Sequence, residues 1–188
     1  MRTTTTLTLP ILLALSGAAR AAPPAPGQSP EERGGYLVRI MSCNDCHTPL
    51  KTGPKGPEPD MGRMLSGHPE SFGVPAAPSH GDGAWVWSGT GTNTAFAGPW
   101  GITFTANLTP DPETGLGKWT EKTFLETFRT GRHMGHGRPV RPPMPVFWIS
   151  QATDDDLKAI YAYLRTIPAV RNRVPQPVDP PEPPAPAK

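Results

Sequence analysis

The pentapeptide Cys43-Asn44-Asp45-Cys46-His47 constrains this chain more than any other feature of its sequence. It contains the only two cysteines among 188 residues, and a histidine follows the second directly. At helical spacing the two thiols can form thioether bonds to the two vinyl groups of haem, while the adjacent imidazole reaches the iron. The motif therefore predicts one covalently bound haem c on Cys43 and Cys46, with His47 as an axial iron ligand.

Two other uses of a C-x-x-C pair are open at this point. A thiol redox pair favours a βαβ context and a thiol pKa below its usual value, and the sequence around the motif indicates neither. A zinc site needs two further ligands, and no paired ligand spacing supplies them. Those ligands would have to come from His68, His80, His133 or His136.

Proline and glycine, 27 and 20 residues respectively, predict that much of the chain is loop. Ordering long loops around a small apolar core costs conformational entropy, so an additional source of cohesion is expected. An enclosed haem supplies a large apolar body of that kind. The net charge of +2 and the scattered basic residues exclude a nucleic-acid-binding surface.

The first 21 residues have the order of a secretory signal peptide. Arg2 precedes an apolar stretch from Leu7 to Ala19, which ends in the small-residue site Ala19-Arg20-Ala21. That stretch is shorter than the roughly 20 apolar residues that cross a bilayer. We expect cleavage near Ala21 or Ala22, a linker at residues 22–29 and a periplasmic protein. Membrane association is expected only if the signal stays uncleaved as an anchor.

Capping signals predict three helices. The first runs from Pro30 to about Ser42 after the N-cap Ser29, the second spans 121–130 and stops at Gly131, and the third follows Thr153 and ends before Pro168. The predicted apolar face of the first helix comprises Tyr36, Leu37, Ile40 and Met41.

The predicted fold is all-α, with one monohaem domain at residues 30–170. Within it, residues 51–100 are rich in glycine, proline and serine and predict a long irregular loop insertion. Alternating Trp85 and Trp87 fit at most a short strand or hairpin there. Residues 171–188 are dominated by proline and predict a solvated, polyproline-like tail.

The ligand on the other side of the iron separates a carrier from an enzyme. Met144 is the candidate, because the prolines around it in Arg141-Pro142-Pro143-Met144-Pro145 stiffen an extended loop and can hold a thioether toward iron. Met134, His133 and His136, in the glycine-rich loop just upstream, are the alternatives. Asn107, Trp119 and Arg138 are weaker candidates for lining the haem pocket, since each has an ordinary structural explanation.

Several segments together resemble a known family. They are Gly34-Gly35-Tyr36-Leu37, Asn107-Leu108-Thr109-Pro110-Asp111, Gly115-Leu116-Gly117 with Trp119-Thr120, Phe128-Arg129-Thr130-Gly131, Pro143-Met144-Pro145, and Asp156-Leu157 leading to Ala162-Tyr163-Leu164-Arg165. From Gly34 to about Pro168, the chain resembles class I c-type cytochrome domains, above all those of the cytochrome c subunits of membrane-bound alcohol and gluconate dehydrogenases. Those subunits carry three haem motifs, whereas this sequence has one.

The resemblance implies a class I cytochrome c fold, in which the first and last helices cross near Gly34 or Gly35 and Tyr163, and Met144 is the distal ligand. It also implies single-electron transfer between a dehydrogenase-type donor, periplasmic or membrane-bound, and a respiratory acceptor such as a terminal oxidase or another cytochrome. Such a protein is not an enzyme by itself. The alternative is a haem enzyme or a gas or redox sensor with an open or labile sixth iron position, where His133 or His136 would act as acid or base.

Overall fold

The computed structural model describes residues 27–78 and 85–181. The predicted signal peptide at 1–21, linker residues 22–26, His80 and tail residues 182–188 lie outside the described residues. Across the two described ranges, no helix is both long enough and apolar enough to cross a membrane.

Five α-helices are described: α1 (Pro30–Ile40), α2 (Cys43–His47), α3 (Glu121–Thr130), α4 (Val146–Ile149) and α5 (Asp154–Leu164). Short 3-10 helices span Met61–Arg63, Glu70–Phe72 and His133–Gly135. The three predicted helices are confirmed as α1, α3 and α5. At the start of α1, Ser29 and Glu32 form a reciprocal capping box, and α3 ends at Gly131 with a φ of 66°.

The all-α prediction is wrong, because two antiparallel sheets accompany the helices. In one, β1 (Leu50–Gly53) pairs with β2 (Gly56–Pro59); in the other, β4 (Ala95–Gly98) lies between β3 (Ser88–Gly89) and β5 (Gly101–Phe104). The region predicted as an irregular insertion thus contains β2, β3 and β4 and most of β1, joined by turns, two 3-10 helices and coil. Its strands have at most four residues, too few to produce a periodic sequence pattern, and glycine or proline bounds several of them.

The second sheet has a small core of its own, distinct from the main core. It is formed by Ala95, Ala97, Ile102 and Phe104. The main core is helical and collects residues from α1, α3, α4 and α5 together with Leu65 and Leu116.

The helices α1 and α5 pack closely at Gly34. A Cβ atom at this position would lie 1.9 Å from the carbonyl oxygen of Ala159, so only glycine permits the contact. The buried face of α1 consists of Gly34, Gly35, Leu37 and Val38. The predicted apolar face is partly wrong, since Tyr36 and Ile40 are 44% and 57% exposed. The two adjacent glycines, Gly34 and Gly35, place the close contact with α5 on their own side of α1, away from Tyr36 and Ile40.

The segment from 171 to 179 differs from the expected solvated tail. Asn172 is 1% exposed, and its side-chain amide donates to the carbonyl oxygens of Ser66 and His68. Its Oδ1 atom accepts from the Glu70 amide and from Arg63 Nη2. Further along, Val178 pairs with Ile102 of β5 in an antiparallel bridge. The Asn172 side chain and the Val178–Ile102 bridge therefore fix a segment that its proline-rich composition predicted to be exposed to solvent.

Candidate haem-binding site

The helix α2 consists of the C-x-x-C-H pentapeptide itself. Ser42, in the left-handed region with a φ of 58°, separates it from α1 and redirects the chain. Residues three apart on a helix share a face, so the backbone brings Cys43 and Cys46 to one side. Both are free cysteines and half-buried, and Cys43 packs against the main core cluster.

The electrostatics of the two thiols oppose a thiol redox site. Burial raises the pKa of Cys43 to about 11, and burial together with the nearby Asp45 carboxylate raises the pKa of Cys46. Reactive redox cysteines have lowered pKa values, because the thiolate is the nucleophile. Zinc ligation also lacks support here, since residues 27–78 and 85–181 contain no group of three or more His, Cys, Asp or Glu side chains arranged to hold a metal.

His47 is buried and held in one orientation. Its Nδ1 atom lies 2.8 Å from the backbone carbonyl oxygen of Ala106. Because a carbonyl only accepts, Nδ1 carries the proton. Burial lowers the pKa of His47, so the imidazole is neutral near pH 7 and its Nε2 lone pair is the one available to a metal. This hydrogen bond is the orienting contact that a metal-ligating histidine requires.

The loop around Gly67 fixes both partners of that hydrogen bond. The Gly67 amide donates to the His47 carbonyl at 2.8 Å. A Cβ atom at Gly67 would lie 2.6 Å from the carbonyl carbon of Ala106, and the residue has a φ of 76°. On the same loop, the Leu65 amide donates to Thr48 Oγ1, directly after the motif. The loop thus connects the end of α2 with Ala106, which lies just after β5.

Met144 lies in a tight turn before α4 and is half-buried. Its amide donates to the Arg141 carbonyl at 3.3 Å, and its own carbonyl accepts from the Val146 amide at 2.8 Å. Met144 packs against the same core cluster as Cys43. The structure thus brings the thioether and one motif thiol to the border of one apolar core.

The alternative distal ligands are placed differently. Met134 is 38% exposed and adopts a φ of 57°, and His136 is exposed. His133 is half-buried and packs edge-on against Trp119, with ring centroids 5.1 Å apart, and burial lowers its pKa. Met64, a methionine outside these alternatives, also borders the main core cluster.

The weaker candidates have structural roles. Asn107 is 4% exposed and uses its side chain to bind the Thr109 amide and the Val170 carbonyl, which shapes the turn that follows β5. Trp119 packs on the core, and its carbonyl accepts from the Tyr161 hydroxyl. Arg138 is exposed.

One contributor to the site was not found from the sequence. Ala106 acts through its backbone carbonyl, which carries no residue-type signal. The donor set as a whole fits a covalently attached haem: two unpaired thiols on one helix, a neutral imidazole with a free Nε2, and a thioether at the same apolar core.

Comparison with known proteins identifies cytochrome c subunits as relatives. The chain is 28% identical over 132 residues, 70% of its length, to the cytochrome c subunit of the quinone alcohol dehydrogenase of Gluconobacter oxydans. It is 27% identical over 132 residues to the gluconate 2-dehydrogenase cytochrome c subunit of Pantoea cypripedii, again 70% of the chain. The matches cover 20% and 22% of those subunits.

A shorter match is to one subunit of the nicotinate dehydrogenase of Pseudomonas putida, with 38% identity over 77 residues. It covers 41% of this chain and 6% of that protein. No protein-family model matches the chain. The predicted resemblance is confirmed: the chain is similar to cytochrome c subunits of alcohol and gluconate dehydrogenases, over about a fifth of their length.

Proposed function

We propose that this chain is a monohaem c-type cytochrome of the periplasm that transfers single electrons from a dehydrogenase-type donor to a respiratory acceptor. The observation that carries the proposal is the geometry of α2. Its two free thiols share one side of the helix, and the His47 imidazole is locked by Ala106 with Nε2 unprotonated. The names of the relatives, cytochrome c subunits of dehydrogenases, support an electron-transfer role.

Each of the four residues has a distinct task in this proposal. Cys43 and Cys46 hold haem c through thioether bonds, which prevents its loss. His47 is the proximal ligand, and its hydrogen bond to Ala106 fixes the ring and increases its basicity. Met144 is the distal ligand. Haem iron supplies reversible one-electron chemistry, and a Met/His ligand pair favours the reduced state more than two histidines do.

A thioether at the sixth position makes the protein a carrier, because no site on the iron is then open to a substrate. Met144 suits this task through its surroundings: it is half-buried, borders the core and lies in a turn restrained by three prolines. The donor and acceptor are then redox proteins: a dehydrogenase on one side, and a terminal oxidase or another cytochrome on the other.

The decisive experiment combines spectroscopy with mass spectrometry on the purified holoprotein. We expect haem to stay attached after acid and organic extraction, the oxidised protein to show the weak near-infrared methionine-to-iron band, and the reduced protein to leave carbon monoxide unbound. A Cys43→Ser/Cys46→Ser variant is the matched control and is expected to lose covalent haem. Rapid binding of carbon monoxide, with no methionine band, would instead assign a haem enzyme or sensor.

The proposed location has its own measurement. Expression of the full chain in a bacterium, followed by fractionation, is expected to place the protein in the periplasm with an N-terminus next to Ala21 or Ala22. Retention of the intact N-terminus in the membrane fraction would contradict a free periplasmic protein and indicate an uncleaved anchor.

A further inference from the structure

The side chain of Arg141 ties the Met144 turn to a distant part of the chain. Its Nη1 atom donates to the carbonyl oxygens of Trp100 and Val178, at 3.2 Å each, and its Nη2 donates to the Asp179 carboxylate. The side chain is only 23% exposed. A guanidinium that binds two carbonyls and a carboxylate is oriented by its planar fork, so Arg141 is held more firmly than a simple surface ion pair would hold it.

The partner segment is itself fixed to β5. Val178 exchanges two backbone hydrogen bonds with Ile102, of 2.9 and 3.0 Å. Gly101 makes the approach possible, because a Cβ atom there would lie 2.0 Å from the Val178 carbonyl oxygen, and its φ is 88°. The anchor of Arg141 is therefore a hydrogen-bonded strand edge.

Only two residues separate Arg141 from Met144, and both are prolines. The backbone closes this turn, since the Arg141 carbonyl accepts from the Met144 amide at 3.3 Å. Proline fixes φ in the connecting residues, so the position of Arg141 largely determines the position of Met144. On the other side, the Met144 carbonyl accepts the Val146 amide that begins α4.

We infer that Arg141 is a positioning residue for the distal iron ligand: clamped by Trp100, Val178 and Asp179, it holds Met144 in place through the short proline turn. The inference rests on the proposed function, in which Met144 ligates the iron. Loss of the clamp lets the turn move away from the core, which increases the population with an open sixth position. The C-terminal segment around Val178 is then part of the ligand support.

The test compares oxidised holoprotein carrying Arg141→Ala with wild type and with Arg171→Ala. Arg171 is the matched control, because it lies on the same C-terminal segment, is 72% exposed and pairs with Glu113 instead. Exogenous imidazole competes with Met144 for the iron, so its affinity reports how often the turn opens. We expect Arg141→Ala, which removes all three hydrogen bonds of the guanidinium, to raise imidazole affinity about tenfold, and Arg171→Ala to leave it unchanged.

Two further measurements separate positioning from general destabilisation. Amide hydrogen exchange at Met144 and Val146 is expected to accelerate in Arg141→Ala, whereas exchange in α1 and α5 stays as in wild type. Gly101→Ala displaces Val178 from the other side of the clamp and is expected to raise imidazole affinity as well.

The outcomes distinguish this inference from the proposed function. If Met144→Ala abolishes the methionine band but Arg141→Ala leaves imidazole affinity and exchange at Met144 unchanged, the clamp is refuted and the ligand assignment stands. If Met144→Ala retains the band, the ligand assignment fails, and the role of Arg141 fails with it.

Discussion

The Nδ1 atom of His47 lies 2.8 Å from the carbonyl oxygen of Ala106, although 59 residues separate the two in sequence. Gly67 touches both sides of this contact: its amide binds the His47 carbonyl, and its missing side chain leaves room for Ala106. The orientation of the proposed proximal ligand therefore depends on a glycine that no haem motif includes.

Gly67→Ala is expected to weaken the hydrogen bond between His47 and Ala106, because the new Cβ would displace the Ala106 backbone. A weaker bond makes the imidazole less basic and favours ferrous iron, so the reduction potential rises. Gly56→Ala is the control, since Gly56 also has a positive φ but has no neighbour within 4 Å of its added Cβ. A redox titration measures the reduction potential of both variants. In thermal unfolding, the free energy of unfolding of Gly67→Ala is expected to be lower than that of Gly56→Ala by about 1–3 kcal/mol. Equal potentials for the two variants would contradict the prediction.

Met144→Ala is expected to remove the methionine-to-iron band, to lower the reduction potential and to let the reduced protein bind carbon monoxide. The reason is that the thioether stabilises ferrous iron and occupies the sixth position. Met134→Ala is the matched control, because Met134 is exposed and lies in the alternative loop. Absorption spectra of both variants, with and without carbon monoxide, test this prediction. Loss of the methionine-to-iron band in Met134→Ala would assign Met134, and not Met144, as the iron ligand.

Gly34→Ala is expected to lower the free energy of unfolding by about 2–3 kcal/mol, even though alanine favours helix more than glycine. The added Cβ would meet the Ala159 carbonyl oxygen at 1.9 Å and force α1 away from α5. Gly35→Ala is the control on the same helix, since its Cβ would meet the Tyr163 ring at 3.0 Å and the end of the Arg39 side chain at 3.5 Å, and both side chains can shift. Urea unfolding measures the free energy of unfolding of both variants. Equal decreases would show that the close contact between α1 and α5 is not at Gly34.

Asn172→Ala is expected to lower the free energy of unfolding by about 2–4 kcal/mol. Its loss leaves the carbonyls of Ser66 and His68 buried without their donor, and it removes the acceptor of the Glu70 amide. Chemical denaturation compares this variant with the exposed neighbour Arg171→Ala, for which no loss beyond about 0.5 kcal/mol is expected. A similar small effect at both positions would mean that the segment is not fixed through Asn172.

Stability is expected to depend on pH through His68, which is 1% exposed and whose pKa is lowered by burial. The unfolded chain binds a proton at this residue near pH 6.5, before the folded protein does. The free energy of unfolding therefore falls as the pH drops below that value, and the loss stops at the folded-state pKa. His68→Gln is expected to flatten this slope below about pH 6.5 in urea titrations. The exposed His136→Gln is the control, and an unchanged slope in His68→Gln would refute the assignment.

The sequence by itself determined the local features. Ser29, Thr120 and Thr153 mark where α1, α3 and α5 begin, because a capping hydroxyl satisfies amides within its own turn. The C-x-x-C-H spacing likewise predicts the chemistry of its donors, whereas the separate short helix α2 was found only in the structure. The resemblance to dehydrogenase cytochrome c subunits rested on short contiguous segments of the same kind.

Tertiary structure alone decided the contacts between distant residues. The short strands of the second sheet form because Ala95 and Phe104 pair across a hairpin and share a small core, and no four-residue strand signals this by its own pattern. The proline-rich end is fixed by Asn172 and Val178, whose partners lie far away along the chain. Ala106 accepts the His47 hydrogen bond through its backbone carbonyl, and Arg141 donates to the backbone carbonyls of Trp100 and Val178. Every residue has such a carbonyl, so no residue type marks these partners. Composition and spacing report what a residue can do, but only the folded backbone determines which carbonyl lies within its reach.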